Sequence, residues 1–461
     1  MEQLLIFGIG LLAVAFVVLM LLKKFDIKIT LFGVGLILMF IAIMMGRTTP
    51  GGTDFAVLNP LMAIVLQFRT TLQGPGLVIL ILGGYTAYMN SIGANDVTVN
   101  ALTKPLKGIK SVYILVPVVF LLGNLLSLVI PSASNLAIIL LATLYPVLKA
   151  SGMSNLTAAA VIATTATIMP TPLGSDNVAV AAELDMSVTE YVFRYHAIIS
   201  IPTLLAMAVV HAFWQKFMDA RGLKTGKIKS EALQFEAIKP VEGSNLFLTV
   251  YAILPLLPII ILLTFFAINN ILDINLAMGV ELVTIISFVI AIGCEFIRRR
   301  NAKDTLNDAE NFFKGMGNAM GIVALLVAAS IFVAGLTSIG IIAEVQAAMA
   351  ETTSAGVILP IIMVGFTAVI VLLSGSGTAL FFAMIPLIVP LAAAAGIEPV
   401  ALAVPMGLSG NLLRAVSPVS AVVVIVAGST KESPMDIVKR TSVPMIFGTV
   451  MMLIMSLVMF S

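Results

Sequence analysis

The chain has 461 residues, 60% of them hydrophobic and only 10% charged. A soluble domain carries about 25% charged residues, so no large aqueous domain fits, and the chain reads as a polytopic membrane protein. Its net charge of +2 offers no basic patch for nucleic acid; the single cysteine, Cys294, excludes an intrachain disulfide, and His196 and His211 are too few for a histidine metal site.

The opening, MEQLLIFGIG, has no basic segment ahead of its apolar run, and Lys23 and Lys24 follow it. This predicts a retained span over 4–22, not a cleaved signal. A second span is predicted over 29–45 and a third over 76–92, with 54–71 at the interface. No charge occurs from 111 to 148, a stretch too long for one helix across a ~30 Å core and interrupted by PSASN at 131–135. Its second arm is short for a crossing, so a re-entrant hairpin near 112–150 is preferred. Two complete spans joined by a tight turn fit the same loop charges. The next crossing, 153–184, is broken at PTPLG and carries Asp176; 187–194 reads as an interfacial piece before a span ending near Trp214.

The longest polar segment, 216–244, reads as a cytoplasmic linker between two halves. Its GLKTGK is one residue short of a P-loop and reads as part of that linker. Spans follow near 246–266, 276–296 and 318–339, then a second hairpin near 356–395 with SGSGT at its tip. The run 399–430 contains one charge, Arg414, close to Ser417-Pro418. Proline lacks an amide donor and disfavours helix at the preceding residue, which predicts a helix broken at mid-depth. An Arg at a helix centre costs about 3 kcal/mol on insertion scales, so it marks a site unless it pairs with a carboxylate only to hold helices together. A final span is predicted over 442–460.

Lys and Arg cluster at 23–28, 104–110, 216–239, 298–303 and 431–440. Ten spans and two hairpins place all five clusters on one face, which the positive-inside rule makes cytoplasmic, with both termini outside. Arg47 and Arg69 fall on the other face.

The second half echoes the first. Ser91-Ile92-Gly93 recurs as Ser338-Ile339-Gly340, Ser132 matches Ser376, and Pro146 with Gly152 matches Pro390 with Gly396. The predicted fold class is therefore all-α, with two inverted repeats, 1–215 and 245–461, each holding a hairpin and a broken helix. Interrupted segments at matching places in two halves point to a transporter site.

VIPSASNLAIILLATLYPV, IMPTPLGSDNVAVAAELDMSV, LLSGSGTALFF, RAVSPVSAVVVIVAG and AYMNSIGANDVTVNALTKPL resemble the DcuC family of anaerobic C4-dicarboxylate carriers. The resemblance spans essentially the whole chain. It implies a homodimeric elevator carrier in a bacterial inner membrane that exchanges or exports succinate, fumarate and malate.

If the tips and breaks converge, helix N-termini after Ser134, after Thr378 and beyond both breaks face one cavity, each acting like about +0.5 charge. Ser132, Ser134, Asn135, Ser374, Ser376, Thr378, Asn411 and Ser417 supply oriented hydrogen bonds, and Arg414 can grip one carboxylate bidentately. Asp176, with Ser175 and Asn177, reads as a coupling or charge-pairing element. The coupling ion is left open between a proton and sodium, the latter with a place at the hairpin tips; no other cofactor is called for. Ser409 reads as packing, Asp96 as an interfacial cap, Glu281 as reaching the outer interface, and both histidines as interfacial. Gly317 and Gly321 form a lone GxxxG. The rival readings are a carrier for an amino acid or another organic anion, whose ammonium would meet Asp176, and an intramembrane enzyme. The enzyme reading lacks an HExxH motif.

Overall fold

The computed structural model describes residues 2–109, 111–224, 244–272, 278–350 and 355–460. Positions 225–243, most of the expected linker and the end of GLKTGK, lie outside the described residues. Among the described residues all regular structure is helical, and eleven helices are long and apolar enough to cross a membrane. Two of the eleven, Ala355–Ser374 and Gly377–Ala395, are the arms of the second hairpin.

Each half runs through the same order of elements. Two spans (Glu2–Leu22 and Ile27–Met44; Asn245–Asn269 and Val280–Arg299) precede a long one (Ala56–Ser91; Ala302–Ser338). A short helix follows (Ala94–Thr103; Ile341–Ala350), then a hairpin, a broken helix and a closing span (Val188–Lys224; Pro434–Phe460). Local chemistry sets the boundaries. Asp26 caps Ile27–Met44, its carboxylate accepting from the Lys28 and Ile29 amides at 2.9 and 3.2 Å.

The stretch expected as an interfacial piece plus a third span is one element of 36 residues, Ala56–Ser91. Gly74 leaves the helical region (φ −112°, ψ −116°) and Pro75 has no amide to donate, so the axis kinks there and the apolar helix resumes.

Ala302–Ser338 packs against Ile27–Met44 and Leu77–Ser91. The seam is tight at Gly315, where an added Cβ would meet the Gly83 carbonyl oxygen at 2.5 Å. Gly317 and Gly321 instead face open space. Arg47 donates from Nη1 to the Ile339 carbonyl at 2.8 Å, just beyond the end of that long helix. A cation is favourable there because terminal carbonyls lack partners within the helix.

The hairpin arms differ in length. In the first hairpin Val112–Leu126 is roughly 22 Å long at 1.5 Å per residue, and the return arm, Ala133–Thr143 continued by Tyr145–Ala150, is roughly 27 Å, against a ~30 Å core. In the second hairpin the arms are longer, but the tip stops at the broken helix. Gly375 adopts φ +75°, and a Cβ there would strike Ser420 at 2.8 Å; Gly377 lies against Gly410.

The closing spans pack together around a buried polar cluster. Arg440, 2% exposed, donates from Nη1 to Asp219 at 2.7 Å, Thr157 at 2.8 Å and Gln215 Oε1 at 3.1 Å. Asp219 also accepts from Ser154 at 2.8 Å and from Thr157. The histidines are buried within the protein, not interfacial. His196 lies 3.0 Å from the Ser200 hydroxyl, and His211 sits between Gln215 and Thr164.

Candidate substrate site between two broken helices

The first broken helix stops at Ala163 and resumes at Ser175; the second gives way to a 3-10 turn, Arg414–Val416, and resumes at Ala421. The first break is thus longer than its Pro and Gly residues alone suggested. Backbone freed at mid-membrane must find partners inside the protein. Asn124, fully buried on the first hairpin, serves two: its Nδ2 donates to the Thr164 carbonyl at 3.2 Å, and its Oδ1 accepts from the Thr167 amide at 2.9 Å, as well as from the Thr167 hydroxyl at 2.7 Å. Asn177 Nδ2 donates to the Thr171 carbonyl at 2.8 Å. In the second break, the Thr441 hydroxyl donates to the Ala415 carbonyl at 2.6 Å, and the Ser417 hydroxyl to Leu372 of the second hairpin at 2.9 Å.

His211 belongs to this support. Arginine can only donate, so Gln215 presents Oε1 to Arg440 and Nε2 to His211 Nδ1, 3.3 Å away. Nδ1 then accepts, which puts the imidazole proton on Nε2. That proton faces Thr164 Oγ1 at 3.1 Å, whose own hydrogen points to the Val161 carbonyl.

The two breaks are joined directly. Arg414 Nη2 donates to the Ala166 carbonyl, and Asn411 Nδ2 donates to Asp176 Oδ2 at 3.1 Å. Asp176 acts electrostatically on Arg414, yet among the described residues no carboxylate lies within ion-pair distance of that guanidinium. The half-buried Arg414 therefore keeps guanidinium donors that no carboxylate of the described residues takes up.

The hairpin tips carry the remaining predicted residues. The return helices begin at Ala133 and Gly377, so Ser132 and Ser376 are the N-caps, while Ser134 and Thr378 sit in the first turns. Both starts fall two residues earlier than expected; Ser132 makes the capping bond of a favoured N-cap serine, whereas Ser376 makes none. Ser132 Oγ accepts from the Asn135 amide at 3.4 Å, and Ser374 Oγ from the Ser376 amide at 3.2 Å. Ser409 bonds the Met406 carbonyl of its own helix at 2.9 Å. Each return helix packs on the resumed arm from the other half: Ala133–Thr143 on Ala421–Thr430, and Gly377–Met384 on Ser175–Glu183. Asn135 and Ser175 open onto a cavity of about 600 Å³ that the first hairpin tip shares with Leu77–Ser91 and Ala302–Ser338.

A family model described as the C4-dicarboxylate anaerobic carrier, DcuC, matches residues 5–461. The chain belongs to the DcuC family. The anaerobic C4-dicarboxylate transporter DcuC of Escherichia coli K12 is 34% identical over 453 residues, covering 97% of this chain and 95% of that protein. The probable DcuC transporter of Vibrio cholerae is 36% identical over 388 residues, 84% and 82% of the two chains. Two solved structures share the fold at 15% identity and a TM-score of 0.60. MtrF of Neisseria gonorrhoeae covers 96% of this chain and 97% of its own; YdaH of Alcanivorax borkumensis covers 93% and 97%.

In this DcuC-family chain the supporting residues Asn124, His211 and Gln215 escaped sequence reasoning. Asn124 left one usable sign, a lone amide in the apolar arm VYILVPVVFLLGNLL. His211 and Gln215 left none, because their partners lie on other elements. Among the described residues no group of three or more His, Cys, Asp or Glu side chains could hold a metal.

Proposed function

We propose that this chain is a secondary carrier of C4-dicarboxylates, succinate, fumarate and malate among them, across a bacterial inner membrane by exchange or efflux. The observation that carries the reading is Arg414, an unneutralised guanidinium held at the crossing of two broken helices in a DcuC-family chain. It grips one carboxylate of the substrate. The amides and hydroxyls of Asn135, Ser132, Ser374, Ser376 and Thr378, together with the helix N-termini behind them, serve the other.

The two halves act as inverted repeats, a reading supported by their matched element order and by the exchange of packing between return helices and resumed arms. Both hairpins, both broken helices and both closing spans then form one moving body. The early spans form the scaffold of an elevator, paired in a homodimer.

The test is uptake of labelled succinate into proteoliposomes, with internal fumarate or with imposed sodium or proton gradients. Fumarate-stimulated uptake supports the reading. Uptake of an amino acid in place of dicarboxylates would move the substrate to the rival class, with Asp176 facing an ammonium.

A further inference from the structure

The 600 Å³ cavity is walled in part by polar groups that the protein leaves without partners. At one edge the chain turns through Gly93 (φ +75°) from Leu77–Ser91 into Ala94–Thr103, which brings Asn90, Asn95 and Asp96 to one corner. Asn95 is 2% exposed, and its Oδ1 has no hydrogen-bond partner. Asp96 was expected to cap a helix, but Gly93 holds the cap position and no side-chain capping bond is made. Half-buried, Asp96 forms no hydrogen bond or ion pair among the described residues. A carboxylate and an amide oxygen are both acceptors, so neither can satisfy the other while Asp96 is ionised; withdrawn from bulk water, neither has a hydrogen-bond or ion-pair partner among the described residues.

A metal cation meets both needs at once and leaves Asp96 ionised; the competing state is a protonated Asp96 whose O–H donates to the amide oxygen, and a response to pH without one to sodium would reveal it. The donors are hard oxygens, which excludes the preferences of zinc and copper for nitrogen and sulfur. One carboxylate supplies one negative charge, which matches a monovalent ion; a divalent ion would remain under-neutralised.

We propose that the Asn95–Asp96 corner binds a sodium ion, with the Asp96 carboxylate and the amide oxygens of Asn95 and Asn90 as ligands. The ion shares this cavity with Asn135 and Ser175, where an entering dianion would otherwise meet the bare Asp96 charge. This goes beyond the carrier reading, and sodium binding at the corner does not depend on which anion is carried.

The test uses purified full-length protein in detergent. Sodium chloride is titrated against choline chloride at constant ionic strength, following both melting temperature and binding of radiolabelled sodium. The wild type should show a saturable rise in melting temperature, with potassium weaker. Asp96→Asn and Asn95→Leu should each weaken sodium binding at least tenfold. Asp436→Asn, which removes an exposed partner of Lys439, should bind sodium as the wild type does. If Asp96→Asn does not fold, Asp96→Glu and Asn95→Gln displace the same oxygens by one methylene and should also weaken sodium. Three results overturn the proposal: a wild type that responds to pH but not to sodium, full sodium affinity in the Asp96 and Asn95 variants, or equal responses to sodium and choline.

Discussion

Asn411 and Asp176, 235 positions apart, meet through one hydrogen bond, Asn411 Nδ2 to Asp176 Oδ2 at 3.1 Å. Arg414, one helical turn further on, donates instead to the Ala166 carbonyl. The acid is thus held by a neutral amide and the cation by a backbone dipole. Opposite charges that are near but not locked together leave room for a charged ligand between or beside them.

Arg414→Lys keeps the charge but loses the planar two-pronged donor. Affinity for succinate should fall about tenfold, about 1.4 kcal/mol, while the protein still inserts. Arg414→Ala should abolish transport in proteoliposomes. Wild-type rates in that variant would leave Arg414 a purely structural group.

Asp176→Asn removes a charge while preserving an oxygen for Asn411. Proton- or sodium-driven net uptake should be lost, and exchange of internal fumarate for external succinate should largely survive, since exchange needs no net movement of the coupling ion. Loss of both modes together with poor folding would make Asp176 only the counter-charge of Arg414. Wild-type levels of both modes would exclude it from the mechanism.

Asp219→Ala strips the counter-ion from Arg440, whose side chain is 2% exposed. Removing one partner of a buried pair is strongly destabilising, about 3–5 kcal/mol, because the remaining charge is uncompensated. The melting temperature should drop sharply. Arg440→Met combined with Asp219→Leu should recover much of it, since that pair leaves no lone charge.

Asn124→Leu is close in volume but leaves the Thr164 carbonyl and the Thr167 amide without their partner. A cost of roughly 1–3 kcal/mol per orphaned group is expected, read as a lower melting temperature. An unchanged value would mean that water replaces Asn124 in the first break.

Labelling tests the orientation. In a Cys294→Ser background, Ala302→Cys should react with an impermeant maleimide from the cytoplasm and Asp54→Cys from outside. Both positions are exposed at opposite ends of spans. Reversed accessibility would overturn the orientation of the whole chain.

The spans, the hairpins and the existence of both breaks were legible in the sequence because the bilayer imposes local rules. Apolar runs of about 20 residues cross it, clusters of Pro, Gly and Ser interrupt them, and basic residues stay on one side. The kink at Gly74–Pro75 merged two expected pieces into one, since a helix whose apolar face continues can resume past a proline. The early stop at Ala163 was not legible: TTAT, the four residues after it, includes no helix breaker, and the gap survives because Asn124 and Arg414 satisfy its backbone.

Sequence by itself therefore determined that this is a helical membrane protein with a lone arginine in its second break. Tertiary structure alone decided that arginine's partner, a carbonyl 248 positions away, and turned two seemingly interfacial histidines into buried ones. It also left Asn95 and Asp96 unsatisfied at a cavity wall. The reason is physical: crossing a membrane is a property of a segment, written in its own residues. A hydrogen bond between two breaks belongs to no segment, and it exists only once packing has brought both to the same depth.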